Sequence, residues 1–431
     1  MGQPDSNILI IGAGTWGFSI ALELARRGHT GIKVLDGCSF PSAISAGNDL
    51  NKIAEVAKKP SDSDTDEAYF WNHVSQVSMR AWNHDPLFKP FYHETGFIMA
   101  AVSDKAYVRC LEYAESENAD LRPLNTKEQF QKTMPDGVLQ GDFPGWRGFW
   151  KRSGAGWVFA SGTMRAMYDE ASRLGVQFVT GDPFGRVGEL LYSYKSGTAI
   201  GARTTDGIQH IATHVFLAAG ANSDQLLDFK KQLRPTAWTL AHLPLSTEET
   251  QRYVNLPVLY GVDRGFFIEP DVESHEIKIC DEHPGYLNPV NSDNGEWRSV
   301  PFSCHQIPRK AEPRMRCFLS ETMPQFANRK FSSTRICWDA DTEDRIFLID
   351  KHPTYHNLIM AVGGSGNGFM ACPAIGVLVA NLFEGKSGGR LRNMMRWRPE
   401  RSVDRDWWDT QDRYGAEGKV MDFREVEDWT S

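Results

Sequence analysis

The N-terminal pattern predicts a strand, a glycine turn, a helix and a second strand. Residues 7–11 are a short apolar run rich in β-branched side chains, as in buried parallel strands. Residues 32–35 form a similar run, which ends at Asp36. The apolar residues between these runs recur with helical spacing, at Phe18, Ala21, Leu22 and Ala25. Together these segments predict a complete βαβ unit.

Related patterns return twice further along the chain. Residues 162–174 predict an amphipathic helix, followed by the strand-like runs VQFVTG and HVFLAAG. Residues 358–362 predict another buried strand, followed by a glycine-rich turn at 363–368 and an apolar helix at 374–383. Such a helix can direct its positive end at an anion or an electron-rich ring. The three separated blocks therefore predict one discontinuous nucleotide-binding domain.

The intervening segments have a different pattern. The first is polar and aromatic, with helical stretches around 68–82 and 104–118, and the second contains strand-like runs such as RGFFIEP and HEIKICDEH. We therefore predict a mixed α/β fold of two domains. A Rossmann-like nucleotide-binding domain comprises residues 1–53, 151–224 and 326–431. An inserted substrate-binding domain, built on a mixed β-sheet, comprises residues 54–150 and 225–325.

Composition excludes several classes of protein. Hydrophobic residues make up 41% and charged residues 24%, as in a folded globular chain, and the net charge of −8 disfavours non-specific nucleic-acid binding. No apolar run approaches the roughly 18 residues of a membrane span, and the segment MGQPDSN lacks a basic signal-peptide start. The seven cysteines are odd in number and scattered, without metal-ligand spacing, so we expect a reducing compartment and no metal.

The turn after the first strand carries the chemistry. Gly12, Gly14 and Gly17 form a GxGxxG motif between a predicted strand and a predicted helix. Gly12 permits the tight turn, Gly14 lets the main chain approach a pyrophosphate, and Gly17 lets helix and strand pack closely. Asp36 follows at about the offset of roughly 20 residues expected for a ligand of the ribose hydroxyls. The sequence therefore predicts a bound dinucleotide.

Further motifs resemble one family. They are GAGTWG with SAGNDLNKI, FFIEP followed by KICDEHPGY, CWDADTEDRIFLID, and the tail RWRPE with DRDWWDTQDRYG. Over nearly the whole chain the sequence resembles the fungal amadoriases (fructosyl amino acid oxidases), relatives of monomeric sarcosine oxidase. The resemblance implies FAD as the cofactor and oxidation of the carbon–nitrogen bond of a secondary amine. It also implies that oxygen is reduced to hydrogen peroxide.

The resemblance also implies roles for individual residues. Cys337 matches the cysteine that bonds covalently to the flavin, and nearby Arg335 would favour its thiolate. Lys278 matches the lysine held over the flavin for reaction with oxygen, where a fixed ammonium stabilises the developing negative charge. Strand alternation alone would make Lys278 a solvated strand residue. Lys52 matches a residue near the flavin, and Glu282 and Arg413 match substrate-pocket residues, with Arg413 holding the carboxylate.

The third glycine block departs from the family. Gly364, Gly366 and Gly368 match cofactor-binding positions, but the chain reads GNGFM where family members usually read GHGFK. Asn367 thus replaces a histidine, and Met370 replaces a lysine that helps to bind the substrate carboxylate. Because methionine is apolar, this wall of the pocket becomes more hydrophobic. We therefore expect weaker activity on fructosyl amino acids than on an N-methylated aromatic amino acid.

Several alternatives stay open at this level. Within the oxidase class, a deglycating enzyme competes with a biosynthetic oxidase whose iminium product is trapped by ring closure. Outside it stand an NAD-dependent dehydrogenase and a non-catalytic flavoprotein. The expected partners are an N-substituted amino acid and oxygen, and the expected state is a monomer. Because the chain ends in DWTS rather than a Ser-Lys-Leu-like signal, we expect a cytoplasmic location.

Overall fold

The computed structural model describes residues 7–42, 44–117, 121–194, 196–291, 297–411 and 418–430. The helices within these ranges are α1 (Thr15–Arg26), α2 (Asp66–His84), α3 (Asp104–Ser116), α4 (Lys127–Gln131), α5 (Ala160–Arg173), α6 (Thr247–Arg252), α7 (Ala311–Thr322), α8 (Cys372–Phe383) and α9 (Gly389–Met395).

The strands fall into an N-terminal and a C-terminal set. The first set is β1 (Ile8–Ile11), β2 (Ile32–Asp36), β3 (Asn51–Glu55), β4 (Tyr92–His93), β5 (Phe97–Ala101), β6 (Leu121–Leu124), β7 (Arg147–Lys151), β8 (Ala155–Phe159), β9 (Gln177–Thr180), β10 (Val187–Tyr192), β11 (Ala199–Thr204) and β12 (Gln209–Ile211). The second set is β13 (His214–Leu217), β14 (Arg234–Pro244), β15 (Val258–Gly261), β16 (Gly265–Asp271), β17 (Glu276–Asp281), β18 (Tyr286–Leu287), β19 (Pro289–Asn291), β20 (Trp297–Ser299), β21 (Ser333–Asp341), β22 (Leu348–Lys351), β23 (Leu358–Val362) and β24 (Met421–Asp422).

A mostly parallel sheet contains the predicted nucleotide-binding strands. Among the described strands its order is β22-β23-β13-β1-β2-β9, and only β22 runs antiparallel to its neighbour. Helices α1, α5 and α8 pack together beside it, around a core that includes Phe18, Ile10 and Ile375. This order brings strands from three distant parts of the chain side by side, as the three sequence blocks predicted.

A larger mixed sheet lies beside it. Its described strands follow the order β24-β18-β14-β17-β16-β15-β5-β7-β6, with β21 paired to β14. One face is covered by α7, whose Phe318 and Leu319 pack with Ile277 and Ile279 of β17. The mixed α/β fold class is confirmed. The residue boundaries given above for the two domains remain a prediction.

Local sequence explains where the helices begin and end. Thr65 and Ser103 cap α2 and α3, because their hydroxyls accept hydrogen bonds from the amides of Ala68 and Ala106. The helix predicted from residue 374 starts at Cys372, since Pro373 is accommodated in a first turn that needs no donor there. The other predicted helices shift by only a few residues.

The C-terminal tail alternates charged residues and tryptophan, which predicts packing back on the body rather than disorder. Its described part does pack on the body. Arg398 and Arg405 are buried, and their guanidinium groups donate to backbone carbonyls that include Ile346 O and Gln232 O. The six cysteines other than Cys337 are predicted to be small buried hydrophobic residues. Cys110, Cys280 and Cys372 are buried, but Cys38 and Cys304 are only half-buried. Cys317 is exposed, because it lies on the solvent side of α7. Among the described residues no helix is both long and apolar enough to cross a membrane.

Candidate active site

The turn after β1 is built by glycines with distinct tasks. Gly12 has φ +107°, and a Cβ there would lie 2.5 Å from Ala218 O. A Cβ on Gly17 would lie 1.8 Å from Gly12 O, so α1 could not pack on β1. At Gly14 the nearest atom to such a Cβ is Ser45 Oγ, 3.5 Å away. Packing within the protein therefore requires glycine at positions 12 and 17. Beside Gly14 the space is open, which leaves room for a ligand.

The N-terminus of α1 is open for the same reason. Gly14 is its N-cap residue, so no side chain satisfies the first amides, and the first helical hydrogen bond runs from Phe18 N to Gly14 O (3.0 Å). The amides of the first turn and the positive end of the helix dipole suit the pyrophosphate of a dinucleotide. This donor set fits the predicted cofactor.

Asp36 anchors this turn at the end of β2. Its Oδ2 accepts from Ala13 N (2.7 Å) and its Oδ1 from Cys38 N (2.8 Å). Burial raises the pKa of the Asp36 carboxyl, and these two hydrogen bonds oppose that rise. Because each carboxylate oxygen has a further lone pair, Asp36 can still accept from ribose hydroxyls in the cavity that it lines.

One cavity of about 1300 Å³ joins both sheets. Its size exceeds the roughly 300–1,000 Å³ of common ligand pockets, leaving room for a dinucleotide and a substrate together. The cavity gathers most of the residues singled out from the sequence: Gly12, Gly14, Asp36, Lys52, Lys278, Glu282, Cys337, Gly364, Gly366, Asn367, Gly368 and Met370. Gly17 lies beneath the turn, and Arg413 lies outside the described residues. The geometry places these groups together, and their individual roles remain proposals.

Lys278 is buried, not solvated as alternation alone suggested. It is 1% exposed, and its Nζ donates to Asp49 Oδ2 (2.8 Å) and to Asn51 O (2.6 Å). Alternation correctly put Lys278 on the face opposite Ile277 and Ile279. That face is covered because it lines the cavity instead of facing solvent.

Asp49 joins two lysines and is the functional residue that the sequence analysis missed. Lys52 Nζ donates to the same Asp49 Oδ2, at 2.7 Å. Burial would raise the pKa of the Asp49 carboxyl, but Lys278, Lys52 and Arg335 together hold it well below its usual range. The only local signal was the spacing of Asp49 and Lys52 within GNDLNK. The result is a fixed pair of ammonium groups around one carboxylate.

Cys337 lies on β21 opposite Trp238 of β14, and its thiol is free. Burial lowers the pKa of Lys52, but the charges of Asp49 and then of Cys337 outweigh burial and raise it. Lys52 and Cys337 thus lie close enough to interact electrostatically. Arg335, the cation expected from the sequence, donates to Asn48 O (2.6 Å) and Ser45 O (3.2 Å) and so also holds the preceding loop.

The second glycine turn, after β23, is held on both sides. The carboxylate of Asp339 accepts from Gly366 N, and Gly368 O accepts from Trp16 Nε1 at 2.9 Å. Asn367 N donates to Gly364 O (2.8 Å), closing the turn.

The residues after this turn enter the cavity wall. Met370 O accepts from Trp82 Nε1 (2.8 Å), which fixes the backbone at the position where the family usually has lysine. Its half-buried side chain packs partly against the core beside α8. Glu282, also half-buried, lines the cavity just beyond the end of β17.

Comparisons with known proteins agree with this architecture. The family model described as FAD dependent oxidoreductase matches residues 7–382. The crystal structure of fructosyl amine:oxygen oxidoreductase (amadoriase I) from Aspergillus fumigatus is 49% identical, covers 100% of this chain and 98% of its own, and superposes with a TM-score of 0.96. L-saccharopine oxidase of Schizosaccharomyces pombe is 28% identical over 93% of this chain and 95% of its own length. Human peroxisomal sarcosine oxidase is 22% identical over 87% of this chain and 91% of its own length.

The fold and the cavity thus define an FAD-dependent oxidoreductase. The chain belongs to the FAD dependent oxidoreductase family and, within it, to the amadoriases, relatives of the sarcosine oxidases, which are amine oxidases. Membership of this family is not consistent with the alternative of an NAD-dependent dehydrogenase.

Proposed function

We propose that the protein oxidises the carbon–nitrogen bond of an N-substituted amino acid in this cavity, with oxygen as the electron acceptor. When bound, FAD would supply the two-electron acceptor for the substrate and the route by which those electrons reach oxygen. The observation that carries the proposal is the Lys278–Asp49–Lys52 group, which lies in the same cavity as both glycine turns.

The chain's residues serve this reaction in three ways. The turn at Gly14 and the open end of α1 bind the pyrophosphate, and Asp36 binds the ribose. Lys278 supplies a fixed positive charge for the negative charge that develops on oxygen, and burial makes that charge more effective. Glu282 and Arg413, with Asn367 and Met370, form the substrate's surroundings, with Arg413 as the carboxylate partner.

We also propose that FAD is bound covalently through Cys337. The Cys337 sulfur would form a carbon–sulfur bond to the flavin 8α-methyl carbon as one carbon–hydrogen bond there breaks. The two protons released, from the thiol and the methyl group, and the two electrons would reduce oxygen to hydrogen peroxide. The position of Lys52 supports the proposal, because its ammonium lies close enough to Cys337 to interact with it electrostatically.

The covalent bond is tested by acid precipitation. We expect precipitated wild-type protein to stay yellow and Cys337→Ser to release its flavin into the supernatant. Cys38→Ser is the control, since Cys38 also lines the cavity but lies beside Asp36. A covalent label that persists in Cys337→Ser would overturn the assignment.

Two N-substituents are supported by different observations. A fructosyl group is supported by the name of the 49% identical relative. A small N-substituent on an aromatic amino acid is supported by Met370, because each sugar hydroxyl buried without a partner costs about 1–3 kcal/mol, and methionine offers no donor. The names of the other two relatives contain L-saccharopine and sarcosine, and both of these compounds are also secondary amines.

Kinetics on both substrate classes decide between them. We expect a higher kcat/KM for an N-methylated aromatic amino acid than for fructosyl glycine, and a shift toward fructosyl glycine in Met370→Lys. A strong wild-type preference for fructosyl substrates that Met370→Lys leaves unaltered would identify a deglycating oxidase.

We also propose that the protein is a monomer and that it is located in the cytoplasm. Sedimentation tests the oligomeric state, and cell fractionation tests the location.

A further inference from the structure

An aromatic strip leads along the cavity away from Lys278. The Lys278 Nζ lies 5.5 Å from the centroid of the Phe266 ring. The ring centroids of Phe266 and Tyr260 are 6.2 Å apart, those of Tyr260 and Phe97 are 6.2 Å apart, and those of Phe97 and Tyr113 are 5.9 Å apart. All four rings line the same cavity. This surface suits the apolar part of an elongated substrate that reacts near Lys278.

The acidic groups at the far end of the strip are already bonded. Glu55 Oε2 accepts from the hydroxyl of Tyr113 at 2.9 Å. Lys151 Nζ donates to Glu117 Oε2 (2.6 Å) and Val56 O (2.8 Å) and lies 3.5 Å from Glu55 Oε2. Burial raises the pKa of the Glu55 carboxyl, and Lys151 opposes that rise. Both carboxylates thus share one buried ammonium.

Arg109 is different from these neighbours. It precedes Tyr113 by one turn of α3, so both side chains lie on the same helix face, and both line the cavity. It is half-buried, yet within the described ranges its guanidinium makes no hydrogen bond or ion pair. A planar guanidinium with five donors is well suited to bind a carboxylate.

We propose that Arg109 is a specificity-determining residue that binds a second, distal carboxylate of the substrate. The inference rests on the proposed oxidation of an N-substituted amino acid and specifies its substrate class. The substrate reacts near Lys278, lays an aliphatic or aromatic body along the Phe266–Tyr113 strip, and ends in an acidic group at α3. Arg109 does not take part in the reaction itself.

Matched substrate pairs test the proposal. N-methyl and N-fructosyl derivatives of glutamate and glutamine, and of aminoadipate and its amide, differ only in the distal group. In at least one of these pairs we expect the wild type to prefer the carboxylate over the amide by roughly tenfold in kcat/KM, as a charge-assisted hydrogen bond predicts. Most of this preference should come from a lower KM for the carboxylate. Arg109→Met should reduce this ratio to about one, and Arg109→Lys should retain part of it.

The control is Arg165→Met, which removes an exposed arginine of α5 outside the cavity and should keep the wild-type ratio. A wild type without preference in any pair, or a preference that survives in Arg109→Met, would overturn the inference. The same holds if Arg109→Met changes only thermal stability, which would make the role of Arg109 structural.

The corresponding glycine derivatives, which have no distal group, separate this inference from the proposed function. If they reduce the flavin while the carboxylate and amide are equivalent, only the role of Arg109 fails. If no secondary amine reduces the flavin, the proposed function fails. Thioether analogues, with sulfur in place of the reacting nitrogen, then report binding through the flavin absorbance. Equal affinity of acid and amide would overturn the role of Arg109 in that case too.

Discussion

A single carboxylate determines how two lysines are held in the site. Asp49 is fully enclosed, and its Oδ2 accepts from both Lys278 and Lys52. A buried ammonium without a partner is costly, so it would lose its proton or leave the site. The ion pair with Asp49 offsets the cost of burying the Lys278 side chain. In the proposed function, this pair fixes Lys278 where oxygen is reduced.

Replacing Lys278 by methionine removes this charge while keeping similar volume. We expect Lys278→Met to slow reoxidation of the reduced flavin by roughly 10²- to 10³-fold, the usual effect of losing one well-placed electrostatic group. Flavin reduction by substrate should change less. Stopped-flow mixing of the reduced enzyme with oxygen measures reoxidation, and anaerobic mixing of the oxidised enzyme with substrate measures reduction. The exposed Lys89→Met is the control. Unchanged reoxidation in Lys278→Met would remove Lys278 from the reaction.

At the scale of single residues, the sequence indicated candidate side chains but did not predict what surrounds them. Alternation placed Lys278 on the correct face of its strand, but could not show that the face borders a closed cavity. Asp49 was missed because its partner Lys278 is 229 residues away. Pairings of this kind depend on the tertiary fold, and a single sequence contains no periodic signal for them.

Among the elements, the strand-turn-helix units were the most predictable. Their glycines leave a local pattern, and buried parallel strands read as short β-branched runs. The antiparallel register of the larger sheet was not predictable. In that register Cys337 lies opposite Trp238, within a sheet whose described strands come from four separate stretches of chain.

The first glycine turn provides a matched pair of substitutions. Gly17→Ala puts a methyl group 1.8 Å from Gly12 O, so we expect unstable or insoluble protein. Gly14→Ala meets nothing closer than 3.5 Å, so the fold should survive while FAD incorporation falls. Circular dichroism and the ratio of flavin to protein absorbance distinguish these outcomes. Full FAD content in Gly14→Ala would show that the pyrophosphate binds elsewhere.

The connection between β17 and β18 contains a buried histidine. Burial, opposed by Asp281 and assisted by Arg314, lowers the pKa of His283 to about 4. Its Nδ1 accepts from Gly285 N at 2.9 Å, which suits the neutral ring. Between pH 4 and the ordinary value of 6.5, the unfolded chain binds a proton that the folded chain does not.

The free energy of unfolding should therefore rise with pH across this interval, by up to about 3 kcal/mol from this residue. His283→Asn keeps an acceptor near Gly285 N but does not titrate, so the free energy of unfolding of this variant should depend less steeply on pH. Urea unfolding at pH 5 and pH 8 measures the difference, with the exposed His305→Asn as control. Equal slopes in wild type and His283→Asn would show that folding does not lower the pKa of His283.

At the scale of the whole molecule, the active site belongs to neither sheet alone. The parallel sheet supplies both glycine turns and Asp36, whereas the larger sheet supplies Lys278 and Cys337. Helix α3 contributes Arg109 and Tyr113 at the far end of the same cavity. A cofactor held by the glycine turns of the first sheet would thus share the cavity with side chains of the second.

Anaerobic mixing tests the central claim most directly. The purified protein, carrying its flavin, is mixed without oxygen with N-methyl and N-fructosyl amino acids while the visible spectrum is followed. We predict that at least one secondary amine bleaches the flavin, that admission of oxygen restores the colour, and that hydrogen peroxide forms in equal amount. A flavin that stays oxidised with every secondary amine, while remaining reducible by dithionite, would contradict the assignment as an amine oxidase.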